Sequence, residues 1–132
     1  LEQALYKHGW ALFRQSDAER SAASFLTLLD RMLVDPAADQ GARLPEALPR
    51  ADRELVEDSF RALSIQFADL ESADTLAQSL SRHGGAPYAW MLYAALGDLL
   101  VQKERFTDAA DVYRRFAREE KVPFFGICFG MQ

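Results

Sequence analysis

The chain has 132 residues, 49% hydrophobic and 27% charged, enough to bury one core and too apolar for a disordered segment. A formal net charge of −5, with bases interleaved among acids, argues against binding a phosphate backbone, which asks for a basic face. The single cysteine, Cys128, rules out an intrachain disulfide and a cysteine-based zinc cluster.

Taken in chain order, helical periodicity dominates. The stretch Leu5-Tyr6-Lys7-His8-Gly9-Trp10-Ala11-Leu12-Phe13 opens a first helix. Ser16-Asp17-Ala18-Glu19 has the spacing of a capping box, in which Ser16 and Glu19 satisfy free amide donors at a helix start. Ala22, Phe25, Leu26, Leu28, Leu29, Met32 and Leu33 then recur at three- and four-residue steps, predicting an amphipathic second helix. So short a break between the two implies an antiparallel hairpin. Residues 35–51 carry Pro36, Gly41, Pro45 and Pro49 and predict an inserted surface loop with one short turn.

Helical signal resumes at Asp52, read as a cap, with Leu55, Val56, Phe60, Leu63, Ile65, Phe67 and Leu70 as apolar positions. Ser72 is placed as the cap of a shorter helix that stops at Arg82-His83-Gly84-Gly85, where Gly84 supplies a left-handed residue. Pro87 suits the first turn of a fifth helix reaching Gln102, and a sixth is expected from Thr107 to Glu120. The fold class is therefore all-α, with three helix pairs at about 3–34, 52–84 and 87–120. No run approaches the roughly 20 apolar residues needed to span a bilayer, and no signal peptide is visible. The chain starts at Leu1 and reads as a piece excised from a longer one.

One pattern repeats through the three pairs. It reads Leu5, His8-Gly9, Leu12, Ser21, Phe25, Leu28 in the first and Phe60, Leu63-Ser64, Phe67, Leu76, Leu80, His83 in the second. In the third it reads Tyr93, Leu96-Gly97, Leu100, Ala109, Tyr113, Phe116. The small residues fall at 9, 64 and 97. The interval 97 − 64 = 33 is close to the roughly 34-residue period of tetratricopeptide repeats, and 64 − 9 = 55 exceeds it by about the length of the proline-bearing insertion. A small residue lets the helices of a pair approach, and stacked pairs bury faces that no pair buries alone.

This pattern resembles the tetratricopeptide repeat family across residues 3–120, best in the third pair, through Leu96-Gly97-Asp98-Leu99-Leu100, Phe106, Ala109-Ala110 and Tyr113. The resemblance implies a right-handed solenoid segment of antiparallel helix pairs acting as a non-enzymatic interaction module or assembly scaffold. Its partner would be a protein or peptide held in a concave groove, with self-association open and no cofactor, metal or nucleic acid. Positions matching groove-facing sites are Tyr6, Trp10, Phe13 and Arg14 in the first pair, Arg61 and Ile65 in the second, and Met91, Asp98 and Gln102 in the third. Tyrosine, tryptophan and arginine are the types that dominate binding energy at interfaces. Packing between pairs is the competing reading for Trp10, Phe13 and Ile65, and solvent exposure for Arg14 and Arg61. The words Tyr6-Lys7-His8-Gly9-Trp10 also look like tetratricopeptide proteins of the bacterial cell envelope, which would place the chain in the periplasm.

Little else carries chemistry. His8 and His83 belong to no spaced ligand set, and the carboxylates Asp108-Asp111 and Glu54-Glu57-Asp58 read as solvated faces. No phosphate-binding loop, dinucleotide fingerprint or zinc-protease motif is present. Residues 121–132 stand apart from the repeat. Ala117-Arg118-Glu119 and Phe124-Phe125-Gly126-Ile127-Cys128-Phe129-Gly130 resemble the nucleophile elbow of the glutaminase domain of CTP synthase, a class I glutamine amidotransferase. That resemblance makes Cys128 the nucleophile of an alternative reading, a fragment of a glutamine-dependent enzyme. The chain as it stands has no His-Glu pair after the elbow, and a thiol of pKa about 8.5 without a base is mostly protonated at neutral pH. A capping segment of a longer solenoid, without a ligand of its own, is a third reading.

Overall fold

A computed structural model describes residues 1–34, 42–69 and 72–119. Among these residues six α-helices follow one another: α1 (Glu2–Arg14), α2 (Ala18–Leu33), α3 (Arg50–Asp69), α4 (Ser72–His83), α5 (Ala89–Gln102) and α6 (Phe106–Glu119). Among the described residues the sole β feature is an isolated bridge between Val34 and Ala42. The all-α expectation is met. The tail 121–132, with Cys128, lies outside the described residues.

Sequence dictates the hairpins at their closest points. Gly9 of α1 sits against the ring of Phe25 of α2, so close that a Cβ there would lie 2.9 Å from Cζ. Gly97 of α5 meets the ring of Tyr113 of α6, where a Cβ would lie 2.5 Å from Cε1. Each glycine thus receives an aromatic ring from sixteen residues further on. The turns of these two pairs match as well. Gln15 and Lys103 cap α1 and α5 with nearly equal backbone angles, and Ser16 and Glu104 adopt positive φ values of 61° and 59°. In both turns the next amide reaches back to a carbonyl five residues earlier, Asp17 to Leu12 at 3.0 Å and Arg105 to Leu100 at 2.9 Å. The first and third pairs therefore match at their glycine contacts and in their turns.

The second pair differs. Its small residue is Ser64, buried, whose hydroxyl returns to the Phe60 carbonyl at 2.8 Å as serine does inside helices. α3 packs more extensively on α5 than on its own partner α4. Its second half is surrounded, with Ser59, Phe60, Ala62, Leu63, Ser64, Gln66, Phe67 and Ala68 all buried. A helix with small and apolar residues around most of its circumference belongs at the centre of a core. Neighbours in contact form two layers, α1 with α3 and α3 with α5 on one side, α2 with α4 and α4 with α6 on the other.

Polar side chains pin the layers. The Ser21 and Ser24 hydroxyls of α2 donate to the Gly9 and Leu5 carbonyls of α1 at 2.8 and 2.9 Å, and Gln66 Nε2 of α3 donates to Ser21 at 2.9 Å. Tyr88, fully buried, places its hydroxyl 2.6 Å from Asp30 Oδ1 and 2.8 Å from the Leu26 carbonyl. His83 Nε2 lies 2.5 Å from the other Asp30 oxygen, so the end of α4 and the approach to α5 both fasten to α2. Arg105 donates to the Ala68 carbonyl, satisfying a free acceptor in the last turn of α3.

Several local expectations change. The cap of α2 is Asp17, whose carboxylate accepts from the Arg20 amide at 3.2 Å; Ser16 stands one residue earlier, in the turn, with φ 61°. α3 begins at Arg50, so Asp52 stands inside its first turn, where a carboxylate faces the positive end of the helix dipole. α5 begins at Ala89, leaving Pro87 in the preceding turn. Gly84 ends α4 with φ 95° as expected, and Gly85 follows at 84°. Within the inserted stretch a 3₁₀ turn at Pro45–Ala47 forms, and Leu48 anchors it in the core; 35–41 lie outside the described residues.

Candidate partner-binding groove

Two helical stripes face each other across the first layer. On α1, residues 3, 6, 7, 10 and 14 share one face, since residues three and four apart are neighbours on a helix. On α3, 54, 57, 58 and 61 do the same. Gln3, Tyr6, Ala51, Glu54, Leu55, Glu57, Asp58 and Arg61 line an open cavity of about 810 Å³ between them. A second cavity of about 410 Å³, lined by Tyr6, Lys7, Trp10, Arg14 and Asp58, continues it toward the end of α1. Tyr6 and Asp58 line both, so the two form one groove.

At the shared point the groove is built, not merely open. The Tyr6 hydroxyl donates to Asp58 Oδ2 and Arg61 Nη2 donates to Asp58 Oδ1, so both carboxylate oxygens are engaged. Asp58 is only 17% exposed in its side chain, against 71% for Arg61. Burial pushes the Asp58 carboxyl up, but the hydrogen bonds from Tyr6 and Arg61 and the charge of Arg61 outweigh it and hold the group below the usual carboxylate range. The bond to Asp58, with burial adding to it, raises the Tyr6 phenol above its ordinary value.

Aromatic packing fixes the floor. Tyr6 and Trp10 stand edge-on to Phe25, with centroids 6.4 and 5.8 Å away, and Phe13 lies tilted against Trp10 at 4.9 Å. The Phe25 ring is the one that Gly9 admits, so the glycine of the repeat also seats the aromatic wall of the groove. The indole Nε1–H of Trp10 is buried near enough to Tyr6 and Asp58 to act on both electrostatically, without meeting the geometry of a hydrogen bond.

Of the residues singled out from sequence, Tyr6, Trp10, Arg14 and Arg61 come together here. Phe13 is half-buried behind Trp10, and Ile65 is half-buried further along α3. Met91 is 9% exposed and belongs to the core. Asp98 and Gln102 are exposed on α5 outside these two cavities, and Asp98 accepts a bond of 2.6 Å from the Tyr113 hydroxyl. The reading of Glu54-Glu57-Asp58 as simply solvated is corrected at Asp58, which the α1 tyrosine covers. Its spacing to Arg61 was the available signal: an acid three residues before a groove arginine shares that arginine's face.

Among the described residues, no cluster of histidine, cysteine and acid side chains could hold a metal ion, and no helix is long and apolar enough to cross a membrane. No family model, curated protein or solved structure matches the chain.

Proposed function

We propose that the chain is a tetratricopeptide-like module that binds a polypeptide partner in the groove between α1 and α3, without catalysing a reaction. The observation that carries this reading is the pair of facing stripes, where Tyr6 and Trp10 stand beside the Asp58–Arg61 pair along a continuous opening. Aromatic side chains already held by packing lose little conformational freedom on binding, which favours affinity. The duplicated Gly9–Phe25 and Gly97–Tyr113 units support the repeat assignment, as does the ordering of helices into two layers. A right-handed solenoid course belongs to this proposal.

Replacing Arg14 and Arg61 together with glutamate reverses two groove charges at exposed positions. Capture of polypeptides from an extract of the native cells should change several-fold between the parent chain and this variant, in amount or in identity. Unchanged capture by a variant whose circular dichroism shows an intact fold removes the groove from the proposal.

A further inference from the structure

The charges along the groove are not evenly spread. Its larger cavity is lined by three carboxylates, Glu54, Glu57 and Asp58, against one cation, Arg61. Asp58 is already paired with Arg61 and hydrogen-bonded by Tyr6, and exposed Glu54 pairs with exposed Arg50 at 3.2 Å. Glu57 is exposed and has no ion-pair partner among the described residues. It sits three residues from Glu54 on the same face of α3, and apolar Leu55 and Ala51 line the same cavity. Cations gather instead at the Trp10 end, where Lys7 and Arg14 line the smaller cavity.

Resting on the groove reading above, we infer that the partner is a polypeptide segment that lays an arginine or lysine side chain into the cavity between α1 and α3, its charged head against Glu57 and Glu54. The chemistry fits such a side chain in two parts. Its aliphatic stem covers Leu55 and Ala51 and the ring of Tyr6, while its head meets carboxylates at the rim. The Tyr6–Asp58–Arg61 cluster is the fixed wall beside it. An acidic segment meets the unpaired Glu57 there, and like charges brought together suppress the wrong partner. Overall net charge favours the same sign of partner.

The test uses the full chain and labelled short peptides on one leucine–serine scaffold, differing only in carrying arginine, glutamate or serine at the same positions. Fluorescence anisotropy reads affinity, and the Trp10 indole resonance reports whether the peptide occupies the groove. The arginine peptide should bind roughly tenfold tighter than the glutamate peptide. Glu54→Gln with Glu57→Gln should abolish most of that preference, whereas Glu19→Gln with Glu46→Gln, which removes equal charge outside the groove, should keep it. An equal loss in the control pair overturns the inference in favour of general surface attraction. Equal or tighter binding of the glutamate or serine peptide, with the Trp10 resonance shifted, overturns the charge assignment and leaves the groove reading standing. If no peptide shifts Trp10, both fall.

Discussion

Single residues hold this fold in ways that composition conceals. Tyr88 is the clearest case, because its ring fills a fully buried position and its hydroxyl serves Asp30 and the Leu26 carbonyl together. Hydrogen bonds to charged groups contribute about 1.5–3 kcal/mol, and leaving a buried acceptor unsatisfied costs a similar amount. Tyr88→Phe keeps the ring and removes only the hydroxyl, so it should lower unfolding stability by about 2 kcal/mol in urea denaturation. A loss under about 0.5 kcal/mol would show that Asp30 finds water or His83 sufficient. Trp10 stands at the other extreme: its indole nitrogen is buried in the wall of the groove without a well-formed hydrogen bond.

At the scale of helices, the pairing of glycine with an aromatic ring determines how closely α1 approaches α2 and α5 approaches α6. Alanine in place of a helical glycine gains up to about 1 kcal/mol from helix propensity. Against that, a Cβ at Gly97 would lie 2.5 Å from Tyr113, inside any tolerable contact, and overpacking typically costs about 1–3 kcal/mol. Gly97→Ala should therefore destabilise by about 1 kcal/mol net and disturb the bond from Tyr113 to Asp98, seen as a lower urea midpoint. A rise in the midpoint would mean that the Tyr113 ring, which is only half-buried, swings aside at no cost. The spacing of these glycines was legible from residue order alone, and so were the hairpins. The start of α2 was not, since Ser16-Asp17 offers two adjacent capping residues and only the positive φ at Ser16 selects Asp17. Nor was the preference of α3 for α5 over α4, because small and apolar residues cover most of its second half and leave periodicity silent about which neighbour they meet.

For the whole molecule, the ionisable ties define a pH window. Asp58 has a folded value below its ordinary 3.8, so its contribution is present above that pH and is lost as the pH falls through the folded value. Tyr6, Tyr88 and Tyr113 have folded values above the ordinary 10.0, through the bond to Asp58 at Tyr6 and through burial at the other two. Their contribution is present below pH 10.0 and is lost as the pH rises through the folded values. Stability measured by denaturant at a series of pH values should form a plateau that falls below about pH 4 and above about pH 10. Tyr88→Phe should flatten the alkaline fall. An alkaline limb identical in the variant would mean that burial of this phenol is not what alkali opposes.

Residue order alone indicated the helices, the two hairpins α1–α2 and α5–α6, and the glycines that let those paired helices touch. Each of these rests on local spacing, and helical periodicity, turn chemistry and charge are all read within a few positions. What the tertiary structure decided is non-local. Asp58 reads in the sequence as one more acid on a polar stripe, and becomes a covered carboxylate only because α1 brings Tyr6 across fifty-two residues of chain to meet it. Met91 and Asp98, seven residues apart and so on nearly the same side of α5, part in the same way, one into the core and one to solvent. Which face of a helix meets a neighbour depends on where that neighbour packs, and a single helix's own pattern holds that information only when its opposite faces differ.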